Sequence, residues 1–195
     1  WAWLEQGHRV LWTHRAADLR PGDFCFYLGC GELVAASTLS MFRHNLVVHE
    51  SDLPRGKGWS PLTWQVLEGR SRIAITLFEA AEKVDSGPIY AQDSIELSGD
   101  ELIGELRASQ ARDTLALCQR FVAEYPRILD AAREQAGEET YYRRRRAADS
   151  RVDPSRPLDD LFAQLRVADP DSYPAFFYRN GIRYNVLLRK GDAIE

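Results

Sequence analysis

The amino-acid sequence predicts an α/β fold, with a mostly parallel twisted sheet flanked by helices. Short apolar stretches, β-branched or aromatic in part and bounded by turn residues, are typical of buried strands. Segments that favour helices lie between them, and such alternation is typical of parallel sheets with right-handed crossover connections. The predicted strands are residues 10–13, 24–28, 46–49 and 73–78.

Three segments favour helices. Residues 33–42 and 61–67 are long enough for short helices. The clearest helix covers about 101–125, because its apolar residues recur on one side at helical spacing, after a Ser98-Gly-Asp-Glu101 capping box. Pro126 is expected to end it. The apolar stripe consists of Leu102, Leu106, Leu117, Phe121 and Tyr125.

The composition changes near residue 130, so we expect a core over residues 1–130 and an extension over 131–195. Charged and proline-containing sequence from about residue 135 predicts an extended arm. Beyond it, Asn180-Gly181 separates two runs rich in aromatic and aliphatic residues. Because Asn and Gly tolerate positive φ angles, this pair predicts a β-hairpin with a type I′ turn.

Bulk properties exclude several classes of protein. A chain of 195 residues allows one ordinary domain with an appendage, and none of its apolar runs approaches the roughly 20 residues that span a bilayer. The net charge of −4 does not favour non-specific binding of nucleic acid. Cys25, Cys30 and Cys118 show no CxxC or Cys/His spacing, so neither a disulfide framework nor a metal site is expected. A reducing cytoplasm is the expected setting.

Two polar residues follow predicted strands. The strand at 46–49 ends in a loop with Pro and Gly, which places His49 at a carboxyl edge, where open α/β sheets bind ligands. The strand at 73–78 leads through a short polar segment to Asp85. If the two strands are parallel neighbours, Asp85 reaches the same edge and can orient the imidazole or relay a proton. The alternatives are a neutral hydrogen-bonded histidine and a solvated turn carboxylate.

The motif Val47-Val-His-Glu-Ser-Asp-Leu-Pro54, followed by Gly58, a strand with Thr76, and Asp85-Ser-Gly87, resembles the folate-dependent formyltransferase family. That family has Asn-x-His-x-Ser-Leu-Leu-Pro and, at closely similar separation, Asp-x-Gly. The paired motifs are more specific than either one alone. The likeness covers roughly residues 24–125 and implies a Rossmann-like core, for which we expect an upstream strand to be missing from this chain.

The resemblance implies catalytic roles for His49 and Asp85, with 10-formyltetrahydrofolate as cosubstrate. His49 would stabilise the developing oxyanion or take the amine proton, and Asp85 would tune His49. The family asparagine lies two residues before the histidine, where this chain has Val47. Positions 45, 47 and 49 share a strand face, so we expect a bulge to let Asn45 supply the missing amide. The alternative is that Asn45 caps the start of a strand.

The same resemblance indicates where ligands bind. Alignment with the family places the pterin against backbone and loop residues. Separately from the resemblance, the cationic pair Arg55 and Lys57 and the indole of Trp59 follow the histidine motif, where they can meet phosphate and stack on a ring. A solvated rim is the alternative for that second group. The predicted folate contacts are Gly31, Leu33, Val84 and Asp85. The predicted substrate contacts are Ser51, Lys57 and Trp59.

The sequence of residues 49–64 and the closing Tyr-Pro-Ala-Phe-Phe look most like the corresponding segments of sugar-formylating relatives. They imply an N-formyltransferase acting on a nucleotide-linked amino sugar, as in polysaccharide building, and are compatible with a homodimer. Nucleic acid is not expected, because methionyl-tRNA formyltransferases carry a sizeable C-terminal barrel, whereas this chain has an arm and a hairpin. The alternatives are a methionyl-tRNA formyltransferase-like enzyme and a catalytically silent module that binds folate or a nucleotide sugar.

Overall fold

The computed structural model of the chain describes residues 2–31 and 34–192. Its strands are β1 (Gly22–Tyr27), β2 (Phe42–His49), β3 (Lys57–Gly58), β4 (Arg72–Glu79), β5 (Ile89–Glu96), β6 (Tyr141–Tyr142), β7 (Ala175–Arg179) and β8 (Ile182–Val186). Its α-helices are α1 (Ala2–Glu5), α2 (Ala36–Leu39), α3 (Pro61–Leu67), α4 (Ile103–Glu124) and α5 (Leu158–Arg166). Short 3₁₀ turns cover Ala16–Asp18, Arg127–Ala131 and Ala147–Ser150.

The main sheet has the order β1-β2-β4-β5 and is mixed. The predicted α/β class with flanking helices is confirmed, but the expectation of a mostly parallel sheet is wrong. Only β1 and β2 pair in parallel, whereas β4 is antiparallel to both β2 and β5. A parallel pair needs a crossover of a dozen or more residues, usually a helix. The connection from β4 to β5, residues 80–88, contains no helix and is too short for one.

Three of the predicted strands are confirmed as β1, β2 and β4, while one is absent and one was missed. Residues 10–13 form no strand, and Trp12 is 71% exposed. A strand needs a neighbour for its backbone N–H and C=O groups, and none pairs with this segment among the described residues. Sequence reasoning missed β5 because Gln92, Asp93 and Ser94 interrupt its apolar pattern.

The helix predictions were most accurate for α3 and α4. The long helix α4 ends before Pro126, as predicted. The predicted capping box does not cap α4, because the helix has Leu102 as its N-cap. The Glu101 carboxylate instead accepts hydrogen bonds from the N–H groups of Ser98 and Gly99 in the segment before the helix. Helix α2 is shorter than the segment predicted for it.

Helix α4 packs on one face of the sheet and leaves the site on the other. Leu46 and Val48 of β2 belong to the core that includes Phe121 of α4. Val47, between them, packs with Leu53, Phe78 and Ile89 in a separate cluster. Because side chains alternate along a strand, positions 45, 47 and 49 share the face opposite α4.

The part of the chain after α4 contains the predicted hairpin and arm. Asn180 and Gly181 have φ angles of 53° and 77°, as a type I′ turn requires, and the hairpin β7–β8 is confirmed. Helix α5, which was not predicted, packs against it through Leu161 and Leu165. The arm runs back to the main body, where β6 pairs in parallel with β3. None of the helices described is long and apolar enough to cross a membrane.

Candidate functional site

His49 and Asp85 lie together at one edge of the sheet. His49 Nε2 is 3.8 Å from Asp85 Oδ2, and the two side chains are 9% and 12% exposed. The structure thus brings the two predicted residues together, but not through parallel strands. β4 runs antiparallel to β2, so it carries the chain away from His49. The 80–88 connection then folds back, and Asp85 reaches His49 with a left-handed φ of 50°.

The backbone of Gly56-Lys57-Gly58 holds both side chains. His49 Nε2 lies 2.9 Å from the Gly56 carbonyl oxygen, which can only accept. Nε2 therefore carries the hydrogen, and in the neutral ring the lone pair is on Nδ1. The Gly58 N–H donates to Asp85 Oδ2 at 2.9 Å. One short segment consequently sets the tautomer of His49 and the position of the Asp85 carboxylate.

Glycine is required at both ends of this segment. Gly56 and Gly58 have φ angles of 71° and 97°, in the left-handed region that favours glycine. A Cβ on Gly58 would lie 2.5 Å from the Tyr142 carbonyl oxygen, too close for any side chain. The close approach of the arm, and not only the turn, therefore requires the glycine.

Residues of the arm fix the two site loops from outside the core, and sequence reasoning missed them. The Thr140 Oγ1 and carbonyl oxygen accept hydrogen bonds from the N–H groups of Gly56 and Lys57, at 2.8 and 2.9 Å. Gln135 Nε2 donates to the Asp85 carbonyl oxygen at 2.9 Å. The sequence predicted an extended arm, but a two-residue ladder between segments more than 80 residues apart leaves no local pattern.

Lys57 was predicted to bind substrate, and the structure contradicts this. Its side chain is 1% exposed, and Nζ donates to Glu139 Oε1 at 2.7 Å. Hydrogen bonds from Lys57, Tyr141 and Lys83 lower the pKa of Glu139 from its ordinary value of 4.5 to about 2. An ammonium that is buried and neutralised in this way is not available to a phosphate, because the desolvated ion is already paired.

Asn45 does not join His49. β2 keeps one register with β1 through Asn45 and with β4 up to His49, so the expected bulge is absent and that prediction is wrong. Four residues of strand span about 13 Å. The Asn45 amide is also engaged: Oδ1 accepts from the Tyr27 hydroxyl and Nδ2 donates to the Leu39 carbonyl, each at 2.9 Å. Asn45 therefore joins β2 to β1 and to the end of α2.

Ser51 is held close behind His49. It is 2% exposed, and its Oγ has no hydrogen-bond partner among the described residues. Its carbonyl oxygen accepts from Thr76 Oγ1 at 2.7 Å. Gln92 Nε2 in turn donates to Thr76 Oγ1 and to Asp52 Oδ1, at 3.0 and 2.8 Å. This network on β4 and β5 fixes the first turn of the loop after His49.

The remaining predicted ligand contacts lie at the surface. Trp59 is 38% exposed, with the Arg144 guanidinium 4.6 Å from its ring centroid. Gly31 adjoins it, since a Cβ on Gly31 would be 3.7 Å from the Trp59 ring. Val84, next to Asp85, is 42% exposed. Leu33, the fourth predicted folate contact, lies outside the described residues.

The arrangement is suited to proton transfer and charge stabilisation. An imidazole of defined tautomer and a carboxylate, both largely buried, are the groups that general acid–base chemistry uses. Within residues 2–31 and 34–192, no group of His, Cys, Asp and Glu side chains is placed to hold a metal ion.

Comparisons with known proteins identify the family and the fold of the chain. A family model described as formyl transferase matches residues 13–118. Methionyl-tRNA formyltransferase from Clostridium thermocellum is 22% identical with a TM-score of 0.70, over 86% of this chain and 72% of that one. A sugar N-formyltransferase from Shewanella sp FDAARGOS_354 is 14% identical with a TM-score of 0.67, over 89% and 71%. HypX from Aquifex aeolicus, in complex with tetrahydrofolic acid, is 14% identical with a TM-score of 0.65, over 85% and 29%.

At these identities the solved structures share the fold with this chain. The family model carries more, because it spans over half of the sequence and includes both His49 and Asp85. The chain therefore belongs to the formyl transferase family of enzymes.

Proposed function

We propose that the protein transfers a formyl group from 10-formyltetrahydrofolate to the amine of a nucleotide-linked amino sugar, with His49 and Asp85 as its catalytic residues. The observation that carries the proposal is the buried His49–Asp85 pair, 3.8 Å apart and held by the Gly56-Lys57-Gly58 backbone. Asp85 has a left-handed backbone conformation, and such uncommon conformations in non-glycine residues cluster at active sites.

Formyl transfer makes two demands that this pair can meet. An uncharged amine attacks the formyl carbon, a nitrogen–carbon bond forms, and the carbonyl oxygen gains negative charge in the tetrahedral intermediate. The bond from that carbon to N10 of the folate then breaks. The amine loses one proton and N10 gains one, so the reaction is balanced without any further reactant. His49 takes this proton on Nδ1, and the imidazolium that results donates to the oxyanion or returns the proton to N10.

Asp85 assists by its charge. When His49 gains a proton it becomes an imidazolium, and a carboxylate at 3.8 Å stabilises that cation in a site with little water. The Gly58 N–H bond to Asp85 Oδ2 keeps the carboxylate in place during the proton transfer. Asp85 thus acts on His49 electrostatically, across the 3.8 Å that separates Oδ2 from Nε2.

The donor is proposed from the family and from the tetrahydrofolic acid in the HypX structure. The surface that the resemblance assigns to the pterin includes Gly31, Val84 and Asp85. Val84 and Asp85 are adjacent, which would bring the bound folate to the catalytic carboxylate.

The acceptor is proposed from residues 49–64 and the closing Tyr-Pro-Ala-Phe-Phe, which resemble sugar-formylating relatives. The likeness to the Shewanella sugar N-formyltransferase supports this proposal. Lys57 is buried, but Arg55 in the histidine loop and Arg144 beside it are exposed, and the Arg144 guanidinium lies over the Trp59 ring. A guanidinium and an indole side by side suit the phosphate and base of a nucleotide.

The test is an assay of the purified chain with 10-formyltetrahydrofolate and a panel of nucleotide-linked amino sugars. Its two readouts are the release of tetrahydrofolate and the mass of the formylated sugar. We expect release with at least one amino sugar and none with the matching hydroxyl sugars. Release with charged initiator tRNA alone would refute the sugar assignment.

One observation favours a second candidate, a folate-binding module without turnover. Val47 occupies the position of the family asparagine, and the Asn45 amide is bonded elsewhere. Folate binding by calorimetry, without tetrahydrofolate release in the presence of any amine, would identify such a module.

A further inference from the structure

We propose that Glu139 is a positioning residue for formyl transfer: its carboxylate ties the loop that holds His49 to the loop that carries Asp85, and so sets the geometry of the pair. This inference rests on the proposed function of the site. Glu139 lies in the arm, far along the chain from both loops, and no part of the family motif includes it.

The contacts reach both loops at once. Lys57 Nζ, from the loop after His49, donates to Glu139 Oε1 at 2.7 Å. Lys83 Nζ, two residues before Asp85, donates to Oε1 and Oε2 at 3.1 and 3.0 Å. The Tyr141 hydroxyl donates to Oε2 at 2.7 Å and fixes the carboxylate from its own side. One carboxylate is therefore shared by two lysines of different loops.

Lys57 lies at the centre of the segment that holds the catalytic pair. The Gly56 carbonyl oxygen before it accepts from His49, and the Gly58 N–H after it donates to Asp85. Lys57 therefore links its ion pair to the two backbone groups that hold His49 and Asp85. Because its side chain is 1% exposed, its ammonium needs the Glu139 carboxylate as a counter-ion to remain where it is.

Lys83 distinguishes positioning from simple neutralisation of Lys57. It is 63% exposed, so it does not need a counter-ion to be solvated. Its bond to Glu139 instead restrains the 80–88 connection close to Asp85. The lowered pKa of Glu139, about 2, means that the carboxylate is charged throughout the range in which an amine acceptor could react.

The experiment compares two variants that remove ion pairs between Glu139 and the lysines of the two loops. Glu139→Gln removes the charge that both lysines share, and Lys83→Met removes only the exposed half and leaves the Lys57 pair intact. A misplacement of about 1 Å can cost roughly 100-fold in rate, so we expect kcat to fall about 10- to 100-fold in Glu139→Gln and about 10-fold in Lys83→Met. KM for both substrates should change little.

Two controls are matched to these changes. Glu138→Gln alters the exposed neighbouring carboxylate, and Lys190→Met removes another lysine that joins two carboxylates, Asp100 and Glu105, away from the site. Both should retain the wild-type kcat. The double variant Lys57→Met with Glu139→Gln removes the buried charge altogether; it should unfold at the wild-type denaturant midpoint and still be slow.

A readout independent of activity is the ¹H–¹⁵N spectrum of the His49 imidazole, assigned with His49→Asn. The wild type should show a hydrogen on Nε2, and Glu139→Gln and Lys83→Met should shift or broaden this signal. Unchanged kcat and imidazole signals in Lys83→Met, or full recovery in the double variant, would overturn the inference. If the wild type transfers no formyl group, the proposed function fails, while the imidazole spectra still decide the role of Glu139.

Discussion

Two histidines of strand β2, His44 and His49, each lie beside a carboxylate, but on opposite faces of the sheet. His44 packs among aromatic rings of the α4 side, with Phe121 and Tyr125 centroids 5.7 and 5.5 Å away, and its Nδ1 is 3.1 Å from Glu79 Oε2. His49 lies at the end of the strand, bonded to a loop carbonyl and 3.8 Å from Asp85.

The difference lies in what else each carboxylate holds. Glu79 also accepts from the Asn45 N–H and the Tyr90 hydroxyl, so it satisfies several groups of the sheet at once. Asp85 is on a loop and takes its hydrogen bond from another loop. A carboxylate partner is therefore common to both histidines, and we expect only His49, at the loop end of the strand, to take part in catalysis. Four predictions test this contrast.

The largest effect is expected from the histidines themselves. His49→Ala should lower kcat/KM by about 10²- to 10⁴-fold, because a general acid–base group is lost. His44→Phe keeps an aromatic ring in the α4 core and should leave kcat unchanged while lowering stability. Steady-state tetrahydrofolate release and a urea melt of each variant measure both. Equal activity losses in the two variants would remove the distinction between them.

The two carboxylates, Asp85 and Glu79, should differ in the same way as the two histidines. Asp85→Asn retains the shape and should lower kcat by about 100-fold, since the imidazolium loses its counter-charge. Glu79→Gln should instead lower the free energy of unfolding by about 1–3 kcal/mol, because it leaves partly buried donors poorly satisfied. Kinetics per folded molecule separate the two effects. A stable but inactive Glu79→Gln would place Glu79 in the reaction.

Two glycine substitutions, one in the site loop and one in α4, test the same contrast through the backbone. Gly58→Ala should destabilise the protein by about 1–3 kcal/mol, because of its left-handed φ and the close Tyr142 carbonyl. Gly104→Ala, in α4 with no atom within 4 Å of the new Cβ, should stabilise it by up to about 1 kcal/mol. Denaturant midpoints measure both changes. Tolerance of alanine at 58 would mean that the arm does not press on the site loop.

The smallest effect is expected from acid. Glu139 and Asp149 have pKa values of about 2, lowered from 4.5 by Lys57, Tyr141 and Lys83 and from 3.8 by Arg143. A lowered pKa stabilises the docked arm above the ordinary value, and this contribution is lost as the pH falls toward 2.

Trp64 reports this step, because its Nε1 donates to the Arg143 carbonyl at 2.9 Å. Its fluorescence should change between about pH 4.5 and 2. In a variant with both Glu139→Gln and Asp149→Asn, we expect that change to be absent within this pH range. An identical titration in the variant would show that these carboxylates do not hold the arm.

Much of the fold was predictable where the signal was local. α3, α4 and the hairpin follow from apolar periodicity, Pro126 and Asn180-Gly181, which act within a few residues. The strand predicted at 10–13 was wrong and β5 was missed for one reason, which is that a strand depends on its neighbour. Residues 10–13 pair with no strand among the described residues, so Trp12 stays exposed, whereas β5 pairs with β4 despite its polar residues.

The candidate site divides in the same way. His49 and Asp85 were found from motif order, and the structure places them together. Lys57 and Asn45 were assigned from residue type and strand face, and both were misplaced, because burial by the arm and hydrogen bonds to Tyr27 and Leu39 depend on segments distant in the sequence.

By itself the sequence determined the α/β class, the elements with strong local periodicity and the two candidate residues proposed as the catalytic pair, because these depend on side-chain chemistry and short-range spacing. Only the tertiary structure decided that the sheet is mixed, that a folded-back connection brings Asp85 to His49, and that the arm holds both loops through Glu139. Strand direction and loop closure depend on contacts between segments that are distant in the sequence. A local pattern of residues does not reveal the energies of these contacts.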